Sequence, residues 1–316
     1  MGEGKNMAFG NYPEKSWSHS RDQIFQECPR KYYYHYYGAH NGWRNDAPQE
    51  AQTVYRLKNL LNLYLYFGET LHSVAEMYIN HWEQKSIGYM REELYHRIRN
   101  LLNQAFKESL DPEQWWEAPK RRKMFAEMYY AKERELPKHA VGEIKKRMDV
   151  CLDHFLQCTS LHEVIRNPEY RLVESERLNT FFVQGNKVYV KLDALYRHED
   201  GQYVIIDWKT GLEDERIEEQ LQLYAYYLHE VQGVPLEKIE IRTEYLLAEK
   251  CQKDTVDGRG VEAIEQKIVD SAAEMDLMLV DPQGNQPRPI GDFRPALEAR
   301  SCRYCNYRQV CTVQHR

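Results

Sequence analysis

Three residues near the middle of the chain could do metal-assisted chemistry together. The segments "VYVKLDALYR" and "YVIIDWKT" carry Asp193, Asp207 and Lys209. Both are rich in β-branched and aromatic residues, as strands are. Alternate side chains of a strand share a face, so Asp207 and Lys209 emerge together. The turn signal "HEDG" between the segments predicts a hairpin that brings Asp193 beside Asp207, with Val188, Val190 and Leu192 on the opposite face. Two carboxylates and an ammonium group then converge at a sheet edge. Bare carboxylates this close repel each other, which raises one pKa. A hard cation such as Mg2+ or Mn2+ takes oxygen ligands and keeps both ionised. Such a cation polarises a phosphate and acidifies water, and a lysine beside it orients or deprotonates that water and stabilises developing negative charge. Taken alone, D-x-K on a strand is more often an ordinary surface pair worth under about 1 kcal/mol.

A second kind of metal chemistry is signalled near the end of the chain. "SCRYCNYRQVC" spaces Cys302, Cys305 and Cys311 as C-x2-C-x5-C. A four-coordinate centre needs four ligands, and this stretch supplies three. Cys151, Cys158 and Cys251 lack ligand spacing and read as core or surface thiols. The first ten residues, "MGEGKNMAFG", hold no apolar signal core. No apolar run is long enough to span a membrane. The expected compartment is the cytoplasm, where thiols stay reduced, so the 7 cysteines point to metal or core use rather than to disulfides.

Positioning these residues falls to elements of two characters. The capping box "SRDQ", Ser20 to Gln23, predicts a helix start, and Pro29 predicts its end at Cys28. The aromatic run "YYYHYY", Tyr32 to Tyr37, reads as a core-packing helix or as a stacking surface for bases. From about Leu57 to Asn167 apolar residues recur at helical spacing, including Leu71, Val74, Tyr78 and Trp82. Near Tyr170 the text turns to short strands, "YRLVESERL", "TFFVQG", "KVYVKLDALYR" and "QYVIIDWKT", which read as a β-meander. A helix over "GLEDERIEEQLQLYAYYLHEVQG" ends at Gly233, "KIEIRTEYLLAEK" is a further strand, and a last helix precedes the Pro/Gly-rich "DPQGNQPRPIGDF". Helices, meander, helix, strand and helix make a mixed α/β fold of α+β-like order. At 316 residues such a chain buries a core without disulfides.

Net charge is −6, so any polyanion partner must be met by local charge rather than bulk charge. Basic runs occur at Lys120–Lys123 ("KRRK") and at Lys145, Lys146 and Arg147, each most simply a solvated face. Arg294, Arg300, Arg303 and Arg308 flank the tail cysteines. The phosphate-binding pattern G-x4-G-K-[ST] is absent, so ATP hydrolysis by that route is excluded.

Taken together, D-(x13)-D-x-K with "IIDWKTG" at the second acid resembles the PD-(D/E)XK nuclease superfamily. More narrowly it is similar to the RecB-like branch, which reads "GxxD", "DxKTG" and then a helix with "QxxxY". Gln220 and Tyr224 supply the last element, one turn apart on one helix face. "GETLH" places Gly68 and His72 where the branch has a helical "GxxxH". The resemblance implies a restriction-endonuclease-like central sheet flanked by helices. It implies that His72, Asp193, Asp207 and the carbonyl of Trp208 hold Mg2+ or Mn2+, and that Lys209 assists the attacking water. Gln220 and Tyr224 would position the lysine or the DNA backbone. Glu174 and Glu176 are further acidic candidates between which the sequence does not choose. Two departures stand out: Val190 replaces the glycine of "GxxD", and Ala194 replaces an arginine often found after the acid. They bear on substrate preference more than on chemistry.

Within the same resemblance Cys28 becomes the fourth ligand. Cys28, Cys302, Cys305 and Cys311 resemble the four thiolates of the branch's iron–sulfur members, such as the AddB nuclease domain, the CRISPR-adaptation nucleases and exonuclease V. The implied cofactor is a [4Fe–4S] cluster, with Zn2+ the alternative that spacing alone supports equally. The expected organisation is a single RecB-like nuclease domain over 1–316, a helical insertion over 87–167, and a cluster region at residue 28 and 292–316 that clasps the two ends of the chain together. The implied activity is a DNA exonuclease on single-stranded ends, 5′ to 3′ favoured, with a helicase, CRISPR, repair or defence protein as possible partner and no membrane. The competing reading is a non-catalytic or partner-dependent nucleic-acid-binding subunit.

Overall fold

The computed structural model of the chain describes residues 11–81, 87–212 and 217–311, without the side chains of 87–89, 299 and 300. Trp82, residues 213–216 of the helix expected to end at Gly233 and the Arg300 side chain therefore lie outside the described residues. In chain order the helices are α1 (His19–Glu27), α2 (Pro29–Tyr33), α3 (Gln49–Lys58), α4 (Leu63–His81), α5 (Ile87–Ser109), α6 (Pro112–Glu117), α7 (Ala126–Tyr130) and α8 (Lys138–Gln157). Strands β1 (Tyr170–Ser175), β2 (Leu178–Val183), β3 (Asn186–Lys191), β4 (Ala194–His198) and β5 (Tyr203–Lys209) follow. Then come α9 (Ile217–Tyr226), β6 (Ile239–Tyr245), β7 (Lys250–Asp254), α10 (Gly258–Asp276), β8 (Leu279–Asp281), β9 (Gln286–Pro287) and α11 (Ala299–Arg303). This is the mixed α/β fold that the order of elements predicted.

The chain divides into two compact units, residues 61–183 with 188–267, and residues 1–60 with 184–187 and 268–316. The larger unit is built on a five-stranded sheet in the order β1-β4-β5-β6-β7. The expected β4–β5 hairpin forms, with Ala194 opposite Ile206 and a turn closed by Gly201 at φ +89°. Strands β5 and β6 run parallel, Asp207 beside Thr243 and Lys209 beside Tyr245. Parallel neighbours need a crossover, and α9 is part of it. Val204, Ile206 and Trp208 alternate along β5 and join a core made with Leu71, Val74 and Tyr78 of α4 and Leu152 and Phe155 of α8. Fully burying side chains of this size stabilises the fold by about 1.5–3 kcal/mol each.

Three expectations need correction. "KVYVKLDALYR" is two strands, because β3 pairs with β2 in a separate hairpin while β4 joins the main sheet. The break falls at Leu192 and Asp193, whose carbonyls both accept from Glu176 N. "KIEIRTEYLLAEK" is likewise β6 and the start of an antiparallel return strand, β7. At the start of the chain, Ser18 rather than Ser20 caps α1, its side chain accepting from Arg21 N at 3.2 Å.

In the smaller unit α1 does end at Cys28, and Pro29 opens α2 at once, where its missing N–H costs nothing. Within the tyrosine run Tyr32 and Tyr34 are buried, Tyr33, Tyr36 and Tyr37 are half-buried, and Tyr34 stacks on Tyr307 at 5.3 Å.

Candidate active site and four-cysteine pocket

Strand β5 sets the first half of the site. Asp207 is 1% exposed, and its Oδ2 lies 2.8 Å from Lys209 Nζ, on the shared face that alternation predicts. Trp208, between them, turns its ring the other way into the core against Phe155. Helix α9 completes a closed ring of contacts. Lys209 Nζ donates to Gln220 Oε1 at 3.0 Å, Gln220 Nε2 donates to Tyr224 Oη at 2.5 Å, and Tyr224 Oη donates to Asp207 Oδ1 at 3.2 Å. The four-residue spacing of Gln220 and Tyr224 is what stacks them on one helix face.

The second half comes from α4, the end of β1 and the bend before β4. Asn62 starts α4 by accepting from Tyr64 N and Leu65 N. Gly68 sits inside that helix at a cost of about 0.5–1 kcal/mol relative to alanine. A Cβ there would come 3.2 Å from Thr210 Oγ1, so glycine lets α4 approach the end of β5 closely. One turn on, His72 Nδ1 lies 3.2 Å from Asp193 Oδ2 and 3.4 Å from Glu176 Oε1. Asp193 Oδ2 also accepts the N–H of Trp208 at 2.9 Å, which locks the acid onto the strand that carries Asp207.

Ligand atoms of His72, Glu176 and Asp193 all lie within 4.8 Å of one another. Asp207 is not one of that trio; it is held by Lys209 and Tyr224. Of the two undecided acids the structure brings in Glu176 and sends Glu174 to Asn179. Glu176 adopts φ +51°, a left-handed conformation uncommon for a side-chain-bearing residue. That turn breaks the strand alternation, which would have put Glu174 and Glu176 on one face, and no glycine, asparagine or proline announces it. The second Glu176 oxygen pairs with Lys191, a lysine that the sequence reading did not single out.

The electrostatics follow from burial and charge. Burial disfavours the His72 imidazolium, but Asp193 and Glu176 outweigh it and push the pKa up to about 10. Burial would raise Asp193, yet His72, the Trp208 N–H and Lys209 hold it below the usual carboxylate range. Asp207 goes the other way, raised by burial and by the Asp193 charge against the pull of Lys209. Lys209 is raised, since Asp207 overcomes its burial. Asp207 Oδ2 is buried, with the Lys209 ammonium beside it. An imidazole nitrogen and the carboxylate oxygens of Glu176 and Asp193, with Asp207 beside them, are a donor set that fits a divalent cation.

The cysteines gather separately, in the smaller unit. Cys28 caps α2, its Sγ accepting from Lys31 N at 3.3 Å and from Ala296 N at 3.2 Å. Cys305 Sγ accepts from Tyr307 N at 3.4 Å. Cys28, Cys302, Cys305 and Cys311 line one pocket with Lys31 and Tyr34. All four are free thiols, and among the described residues no three of their sulfurs lie within 4.8 Å of one another. A zinc ion with Zn–S bonds of about 2.3 Å needs sulfurs closer than that. Protein contacts fasten the same segments: Arg30 Nε donates to Phe293 O at 3.0 Å and Tyr34 Oη to Val310 O at 3.0 Å. Burial pushes the other three thiols up, Cys151 and Cys251 to about 11 and Cys158 to about 12.

Among the described residues no helix is long and apolar enough to cross a membrane. No curated protein matches the chain. A solved structure described as "Crystal structure of SSO0001" is similar at 18% identity over 67% of this chain and 84% of that one, with a TM-score of 0.27, too slight a likeness to say more. The family match is of another order, for residues 16–312 fit the PD-(D/E)XK nuclease superfamily, and the chain belongs to it.

Proposed function

We propose that this nuclease is a Mg2+- or Mn2+-dependent DNA exonuclease of the RecB-like branch. In this reading it acts on single-stranded ends, 5′ to 3′, and carries a [4Fe–4S] cluster on Cys28, Cys302, Cys305 and Cys311. The observation that carries the reading is the closed ring Asp207–Lys209–Gln220–Tyr224 set against the His72–Glu176–Asp193 trio. "DxKTG" and "QxxxY" are the signature elements of that branch, and here they are in physical contact.

His72, Glu176 and Asp193 would hold the cation, with Asp207 beside them and the Trp208 carbonyl a further donor. When bound, the cation supplies Lewis acidity to the scissile phosphate and lowers the pKa of water. The chain's own residues do the rest. Asp207 keeps Lys209 protonated in the metal-free protein, so its ammonium acts first as a charge stabiliser for the phosphate oxygens. Gln220 fixes that ammonium, and Tyr224 ties down one oxygen of Asp207 while the other pairs with Lys209. Four free thiols lining one pocket supply the ligand set that a [4Fe–4S] cluster takes. Unpaired thiols fit a cytoplasmic protein, and a helicase or another repair or defence protein is the kind of partner that would deliver single-stranded ends.

The deciding experiment cuts single-stranded DNA labelled at its 5′ or its 3′ end with Mn2+ present. Early release of the 5′ label as short products is expected. Asp193→Ala and Lys209→Ala should be inert, and variants that cut like the wild type would place the chemistry elsewhere.

A further inference from the structure

The larger unit carries a basic and aromatic corner that the candidate active site does not use. Helix α6 ends at Glu117, and the chain turns back so that Arg121 N and Arg122 N both donate to Ala118 O. Lys120, Arg121 and Arg122 follow that turn. Among the described residues these three side chains form no ion pair, although the protein as a whole is acidic. Three adjacent cations held together without counter-ions attract a polyanion.

Hydrogen bonds tie the chain after the turn to its neighbours. Lys123 N donates to Glu108 at 2.6 Å and Phe125 N to Ser109 Oγ at 2.9 Å, while Leu61 N donates to Met124 O. Trp115 is fully buried beneath it. Above that anchor Trp116 and Tyr129 hold their rings parallel, 4° apart in plane and 6.5 Å between centroids. Both residues are half-buried. Flat aromatic surface beside a basic run is what an unstacked base and its phosphates need, and a duplex, whose bases are already stacked, gains little from it.

Lys123, next in sequence to the basic run, reaches the helix that carries His72. The Lys123 ammonium lies 5.6 Å from the centre of the Tyr66 ring, and Tyr66 shares α4 with His72. His72 is six helical steps beyond Tyr66, a rise of about 9 Å.

We propose that the corner of residues 115–130 is a landing platform for single-stranded nucleic acid. Lys120, Arg121 and Arg122 hold phosphates, and Trp116 with Tyr129 takes a base a few nucleotides from the scissile bond. The platform rests on the nuclease reading and adds the residues that grip the strand away from the scissile bond.

The test uses the whole protein and fluorescein-labelled oligo-dT of about 20 nucleotides, longer than the ~4–16-nucleotide sites such platforms occupy. Binding is read by anisotropy in EDTA, so cleavage does not enter. The triple variant Lys120→Ala, Arg121→Ala, Arg122→Ala should bind at least tenfold more weakly, with a salt dependence of log affinity shallower by about 2, near 0.7 per lost phosphate contact. Trp116→Leu should weaken oligo-dT binding about 5- to 160-fold, the range of a lost base stack, and leave duplex binding unchanged. Circular dichroism melting of each variant checks the fold. A triple variant with wild-type affinity and salt slope overturns the platform, even if the wild type cuts single strands. A wild type that neither binds nor cuts them overturns the nuclease reading and the platform together. Asp207→Asn, which should bind but not cut, separates the two.

Discussion

Tyr224 donates its hydroxyl to Asp207 Oδ1 at 3.2 Å while accepting from Gln220 at 2.5 Å. One phenol on α9 thus joins the strand acid to the glutamine that holds Lys209. Tyr224 is fully buried, and burial together with the Asp207 and Asp193 charges raises its pKa well above the usual value, so it stays a neutral donor. Partners that orient a metal-site group matter nearly as much as the ligands themselves.

Tyr224→Phe keeps the ring's volume and removes only the hydroxyl. We expect the single-turnover rate of cleavage to fall about 10- to 100-fold, the usual cost of losing such a partner, with little change in melting temperature. An unchanged rate would show that Lys209 and Asp207 hold their geometry without the ring of contacts.

The choice between neighbouring acids is testable by metal binding. Glu176→Gln should weaken Mn2+ affinity at least tenfold, on the order of a lost carboxylate ligand, as read by isothermal titration calorimetry. Glu174→Gln, whose native partner is Asn179, should leave it unchanged. The reverse pattern would move the cation to the other side of β1.

His72 has a definite pH signature. Its folded pKa is raised to about 10, above the ordinary value of 6.5. Its contribution to the stability of the metal-free protein is therefore complete below pH 6.5 and is lost as pH rises through about 10. Metal-free wild type should lose melting temperature over that window more steeply than His72→Phe. A ligating imidazole must be neutral, so Mn2+ binding at pH 7.5 should release about one proton. Titrations in two buffers of different protonation enthalpy would measure it, and no proton release would remove His72 from the ligands.

The four-cysteine pocket should colour the protein. Anaerobically purified wild type should be brown, with iron and sulfide present, and Cys302→Ala should lose that absorbance. A cross-link closing so long a loop is worth about 2–5 kcal/mol, so the variant's melting temperature should drop by several degrees. The loss should stop short of unfolding, because Arg30 and Tyr34 bind the same tail through its carbonyls. A colourless protein containing zinc would refute the cluster.

Residue type and spacing alone carried much of this protein. Alternation put Asp207 and Lys209 on one face, the four-residue step put Gln220 over Tyr224, and Pro29 ended α1, because strand and helix periods are local properties. What local rules cannot see is pairing between distant segments. Only the folded chain splits "KVYVKLDALYR" at Asp193, since that break depends on which strands β3 and β4 find as neighbours. Only the left-handed turn at Glu176, held by the carbonyls of Leu192 and Asp193, selects it over Glu174. The reason is physical: backbone groups must pair with whatever partner the fold brings near, and that partner can lie anywhere in the sequence.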